Sequence, residues 1–137
     1  MIEHEVKIRV RYAETDQMSY VYYGNYATYL EVARVETFRF LGVSYKEMEA
    51  DGILMPVLEL RTKYIKPVLY DDEIKVKVKI SDKPNVRIHF DYEIYNQQDI
   101  LTTIASTTLV FISKETGRPI NPKGKFEEIM NRQFDHV

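Results

Sequence analysis

The chain has no cysteine, and its three histidines, His4, His89 and His136, stand far apart. Without cysteine there is no disulfide, no thiolate metal site and no thiol nucleophile, and nothing requires an oxidising compartment. The histidine spacing matches no zinc-ligand pattern, so no metal site is expected. Charge of one sign is equally scarce: 19 Lys and Arg face 21 Asp and Glu, a formal net charge of −2. A strongly basic nucleic-acid surface is therefore unsupported. No apolar run reaches the roughly 20 residues that cross a bilayer, and Met1-Ile2-Glu3-His4-Glu5 is unlike a signal peptide. These absences lead us to expect a cytoplasmic protein. Its 137 residues read as one domain, 1–137, in which about two-thirds of the unfolded surface can be buried without covalent staples.

What is present is a change of period along the chain. Residues 4–12 alternate, with Val6, Ile8, Val10 and Tyr12 on one face and Glu5, Lys7, Arg9 and Arg11 on the other, which predicts a strand. From Asn25 to Leu41 the apolar residues Tyr26, Tyr29, Leu30, Ala33, Phe40 and Leu41 fall at helical spacing, with Glu31 and Arg34 on another face and Gly42 as the stop. Val32, Val35 and Phe38 widen the apolar stripe, so the helix is expected to be largely buried. Ser44 with Glu47 forms a capping box for a short second helix, ended by Asp51-Gly52. The period then becomes two: residues 57–65, 73–80, 86–95 and 100–112 read as four more strands. Apolar residues on both faces of the last imply a central strand or one covered by a partner. A weak terminal helix is expected near 126–131. The whole reads as α+β, one antiparallel sheet on one long helix.

Asp16 ends a strand-like run, and Ser19-Tyr20-Val21-Tyr22-Tyr23-Gly24-Asn25-Tyr26 leads into the long helix. A helix N-terminus offers unpaired N–H groups and partial positive charge, so a polarised carbonyl held there beside Asp16 makes a candidate acyl-transfer site. The spacing equally fits a plainer role, in which Asp16 caps a turn. Tyr26 and Tyr29 read as core filling at the helix start, whereas Tyr22 and Tyr23 stay open as pocket residues. Lys75, Lys77 and Lys79 read as a solvent-facing row or a phosphate-friendly surface, and His89, on the polar face with Arg87 and Asp91, as a satisfied surface histidine.

The runs Arg11-Tyr12-Ala13-Glu14-Thr15-Asp16, Val21-Tyr22-Tyr23-Gly24-Asn25-Tyr26 and Glu31-Val32-Ala33-Arg34, followed by Tyr64-Ile65-Lys66-Pro67, Asp71-Asp72 and Thr116-Gly117-Arg118-Pro119, resemble the hot-dog-fold acyl-CoA thioesterases related to 4-hydroxybenzoyl-CoA thioesterase. The resemblance covers almost the whole chain in order. It implies a five- or six-stranded antiparallel sheet wrapped around the central helix, a homodimer or homotetramer, and an active site at the subunit interface where Asp16 faces strand residues 61–64 of the other subunit. It implies Asp16 as nucleophile or general base, the Tyr23 backbone N–H as the donor to the thioester oxygen, and no metal or redox cofactor. Two departures stand out: Ser19 where the family often has Gly, and Tyr23 where His is frequent. An acyl-CoA substrate carries phosphates, for which Arg61, Lys63, Lys83 and Arg87 are the candidate partners; taken singly, each also fits a solvated strand face. Tyr22, Gly24, Thr62 and Tyr64 complete the expected substrate-binding set. Acyl carrier protein is an alternative carrier, and a non-catalytic module binding acyl-CoA or a small aromatic ligand is the competing function. A hydratase reading is disfavoured, because it calls for a His beside an acid and no histidine lies between His4 and His89.

Overall fold

The computed structural model describes residues 1–135, so His136 lies outside the described residues. The elements run β1 (Ile2–Arg9), α1 (Tyr26–Leu41), α2 (Tyr45–Ala50), β2 (Ile53–Leu54), β3 (Val57–Tyr64), β4 (Glu73–Ile80), β5 (Arg87–Tyr95), β6 (Leu101–Val110), β7 (Ile112–Ser113) and α3 (Gly124–Phe134). Five strands form one antiparallel sheet in the order β1-β4-β5-β6-β3, and β2 pairs with β7 apart from it. The long helix α1 packs on one side of this sheet.

The expected alternation in β4 holds: Ile74, Val76, Val78 and Ile80 are buried, while the lysines between them point to the other side. Phe38 of α1 meets Phe90 of β5 at 5.8 Å and Phe126 of α3 at 5.2 Å between ring centroids. Each such fully buried side chain is worth about 1.5–3 kcal/mol, which explains why a terminal helix with little sequence signal docks firmly. It does so through Phe126, Ile129 and Met130 and is longer than 126–131. Gly42 ends α1 in the left-handed conformation (φ 106°), and Ser44 and Glu47 close the expected capping box on α2.

Several expectations are corrected. Tyr12 leaves the strand and sits exposed in a 3-10 turn spanning Tyr12–Glu14. The helix is not largely buried: Val32 and Phe40 are exposed, Phe40 stacking on His4 at 4.3 Å. Arg34 is no surface residue. It is buried, donating to the Tyr92 hydroxyl at 3.1 Å beside the Phe90 ring, and Tyr92 in turn meets Thr107 at 2.6 Å. The short strand β2 had no periodicity to announce it. The reading of 100–112 as a central strand holds, since β6 lies between β5 and β3; the strand with exposed apolar side chains on both faces is β3 at the sheet edge, where Val57, Leu58, Leu60 and Tyr64 are exposed.

Candidate active site

The segment carrying Asp16 is a tight loop pinned at both ends. Thr15 and Val21 form an isolated antiparallel bridge, and Tyr20 bridges Leu69 in the loop after β3. The Val21 N–H donates to Val68 O at 2.8 Å, and the Tyr70 N–H to Ser19 O at 3.0 Å. Within the loop the Asp16 N–H donates to Tyr20 O at 2.8 Å, and the Asp16 carboxylate Oδ1 accepts from the Met18 N–H at 2.8 Å. Asp16 therefore does cap a turn. Only Oδ1 is used: Oδ2 has no protein partner among the described residues, and the residue is exposed in the single chain. Ser19, where the turn reverses, has φ 63°, the left-handed region that glycine enters at least cost.

The helix start differs in detail from the expected one. A 3-10 turn, Tyr23–Asn25, precedes α1, and Tyr22 before it is extended (φ −64°, ψ 135°). Its first internal bonds run from Asn25 N to Tyr22 O and from Tyr26 N to Tyr23 O. The N–H groups of Tyr23 and Gly24 precede the first donor of the turn, Asn25 N, the position of the unsatisfied donors at any helix start. Gly24 lets the Tyr22 ring lie close over the turn, since a Cβ there would stand 2.9 Å from its Cε2 and the exposed ring would have to shift. Tyr22 and Tyr23 are exposed and their ring centroids are 4.7 Å apart.

What joins the Asp16 loop to this helix start is Glu14, a buried residue. Its Oε2 takes both Arg11 Nε (3.0 Å) and Nη2 (2.7 Å), and its Oε1 accepts from the Arg11 N–H (2.8 Å) and the Tyr29 hydroxyl (2.9 Å). Its backbone carbonyl accepts from the Tyr22 N–H (2.9 Å) and from Asn25 Nδ2 (2.8 Å). Burial pushes the Glu14 carboxyl up, but the hydrogen bonds from Arg11 and Tyr29 outweigh it and hold the group below the ordinary glutamate value. Burial first, and then the facing carboxylate, raise the Tyr29 phenol. Sequence reasoning did not single out Arg11, Glu14 or Asn25 and took Tyr29 for core filling. The one available signal was the Arg-x-x-Glu spacing just before Asp16.

The remaining predicted residues divide by face. Tyr64 lies on the helix side of β3, its ring 4.9 Å from that of Tyr26, and Thr62 alternates onto the same side, opposite Ala105. Arg61 and Lys63 point to the other side, where with Asp91, Ile104 and Ser106 they line a shallow depression of about 280 Å³. Arg61 also donates to Glu59 at 2.9 Å. Arg87 lies on that outer face too, farther along β5, and Lys83 pairs with Asp135 at 2.6 Å beside α3. The four candidate phosphate partners thus do not form one cluster. An open depression of about 760 Å³ is lined by residues including Glu3, Glu5, Lys77, Lys79, Asp91 and Glu93 and includes none of the loop or helix-start residues. His89 is satisfied by Thr108 (2.9 Å) and Asp91 (3.2 Å), as a surface histidine should be.

The sequence profile of the Thioesterase-like superfamily matches residues 10–131. A Bacillus subtilis (strain 168) protein named "Putative acyl-CoA thioesterase YneP" is 36% identical over 122 residues, covering 89% of this chain and 88% of that protein. Among solved structures, the DHNA-CoA thioesterase from Staphylococcus aureus superposes with a TM-score of 0.84 at 39% identity, over 98% of this chain and 85% of that one. A 4-hydroxybenzoyl CoA thioesterase shares the fold at a TM-score of 0.82, with 16% identity over 95% of this chain and 99% of that one. The match extends from just after β1 through the Asp16 loop, the long helix and the sheet strands β3–β6 into α3, and the chain belongs to the Thioesterase-like superfamily.

Proposed function

We propose that the protein hydrolyses acyl- or aryl-CoA thioesters to the free acid and CoA. The observation that carries the reading is the adjacency of a carboxylate with one free oxygen and a helix start with free N–H groups, tied together through the Thr15–Val21 bridge and the Tyr22 N–H to Glu14 carbonyl bond. In the nucleophilic form, Asp16 Oδ2 attacks the thioester carbonyl, and the oxyanion is received by the Tyr23 N–H. The C–S bond then breaks, and the thiolate takes a proton from solvent. Water hydrolyses the resulting anhydride and restores the carboxylate. In the general-base form the same oxygen takes a proton from water, which attacks the carbonyl directly. Both forms suit a thioester, whose carbonyl is electrophilic and whose thiolate leaves readily. Neither needs the imidazole that Tyr23 replaces, because the donation comes from the backbone.

The working unit in this reading is a dimer. The exposed apolar side chains of β3 and its free backbone edge are a surface that isolated proteins ordinarily protect, and a second copy pairing there brings its own residues 61–64 toward the first copy's Asp16 loop. Release of free thiol from a panel of short, long and aromatic acyl-CoAs, with acyl carrier protein thioesters as a second panel, tests the function. Release from at least one CoA thioester is expected. Binding of CoA esters without release from any of them contradicts hydrolysis and leaves a ligand-binding module.

A further inference from the structure

We infer that Glu14 is a positioning residue that sets the Asp16 carboxylate against the Tyr23 N–H, an inference that rests on the thioesterase reading above. Every partner of Glu14 belongs to one half of the site or the other. The Arg11 guanidinium and N–H fix the 3-10 turn that leads into Asp16, two residues downstream. The Tyr29 hydroxyl and Asn25 side chain come from the helix start, and the Tyr22 N–H immediately precedes Tyr23. The side chain thus joins the Arg11 turn to Tyr29 of the helix, and the carbonyl of the same residue adds two further bonds to the helix start. Asp16 and Tyr23 share no hydrogen bond in the structure, so their relative placement passes through this residue and the Thr15–Val21 bridge.

A buried carboxylate costs several kcal/mol of desolvation unless paired, and a brace could be built more simply from apolar residues. What the charged version adds is direction. A bidentate guanidinium fork and a phenol hydroxyl fix both carboxylate oxygens, leaving the loop no freedom to rotate about the Glu14 side chain. A displacement of about 1 Å in a reacting group costs on the order of 10²-fold in rate, so loosening this clamp acts on turnover rather than on substrate affinity.

The test compares Glu14→Gln, Tyr29→Phe and Asp16→Asn, with Glu47→Gln as a control that removes the ion pair to Lys125 (2.9 Å) away from the site. Turnover is measured with the CoA thioester the parent cleaves fastest, alongside thermal melting. Glu14→Gln keeps an acceptor for Tyr29 but breaks the Arg11 fork, and Tyr29→Phe removes a single hydroxyl, so it decides the matter even if Glu14→Gln does not fold. The expected result is a fall in kcat of about 10- to 100-fold for Glu14→Gln and about tenfold for Tyr29→Phe, with KM within about twofold. In an Asp16→Asn background neither substitution should lower the residual rate further, because the group being positioned is gone. Glu47→Gln should lower the melting temperature and leave kcat unchanged. If Glu14→Gln and Tyr29→Phe behave like Glu47→Gln while Asp16→Asn is inactive, Glu14 is a structural brace only and the inference is overturned with the thioesterase reading intact. If Asp16→Asn itself turns over normally, that reading falls and the inference with it.

Discussion

The ring of Tyr64, on the free edge of the sheet, lies edge-on to Tyr26 in the first turn of α1, 4.9 Å away at 73°. One aromatic contact thus ties the strand proposed to meet a second copy to the helix start proposed to hold the thioester oxygen. Such a pair is worth about 0.5–1.5 kcal/mol beyond the area it buries. Tyr64→Ala should lower the melting temperature and weaken self-association together. Light scattering over a dilution series, with turnover at each concentration, should show activity following the dimer fraction; a fully active monomer excludes a shared site.

Ser19 occupies a left-handed conformation at φ 63°, where a residue with a Cβ is disfavoured by about 1–2 kcal/mol and glycine is not. Part of that gain is offset by the greater freedom of glycine in the unfolded chain. Ser19→Gly should therefore stabilise by about 0.5–1 kcal/mol in urea unfolding, with kcat preserved. A loss of stability would show that the Ser19 side chain makes a contact worth more than the backbone relief.

Tyr23 separates backbone from side-chain chemistry unusually cleanly. It is the first residue of its 3-10 turn, and Tyr22 before it is already at φ −64° and ψ 135°, the extended geometry that a following proline demands. Proline also favours the first helical position, where its missing N–H had no helical acceptor. Tyr23→Pro should thus keep the fold and lower kcat by about 10²- to 10³-fold, the typical cost of one oxyanion donor, while Tyr23→Phe stays within about twofold of the parent. A large loss in the phenylalanine variant assigns the role to the phenol.

Glu14 makes the site sensitive to acid. Its folded pKa lies below the ordinary 4.5, because Arg11 and Tyr29 stabilise the ionised form more than burial disfavours it. A carboxylate depressed in this way contributes its full stabilisation above the unfolded value and loses it as pH falls through the folded one. Urea midpoints should be flat near neutrality and drop below about pH 4.5, and the drop should be smaller in Glu14→Gln. An equal drop in both chains places the acid sensitivity elsewhere, with Glu47 and Asp99, also held low by their lysine partners, as the alternatives.

The alternation of β4 and the Ser44–Glu47 box were legible because local chemistry alone decides them. The face of Arg34 was not, since helical spacing put it with Glu31 and only the hydroxyl of Tyr92, 58 positions away, makes a buried guanidinium tolerable. β3 hid its role for a related reason: an edge strand meant for cover and a central strand share the same mixed pattern, and only strand order separates them. In the site, Asp16 and the helix start were visible as a motif, whereas the clamp through Glu14 depends on Tyr29, 15 residues downstream. For the proposed phosphate partners charge alone was legible, whereas the pairing of Lys83 with Asp135 and of Arg61 with Glu59 depends on the fold.

The measurement that bears most directly on the account is kcat for Asp16→Asn. Asparagine keeps a carbonyl oxygen to accept the Met18 N–H that Asp16 Oδ1 now accepts at 2.8 Å, so the turn and the melting temperature should survive, but the amide can neither attack a thioester nor take a proton from water. A catalytic Asp16 predicts a fall of about 10²- to 10⁴-fold in kcat with an unchanged melting temperature; turnover close to that of the parent would mean that Asp16 does nothing more than cap its loop.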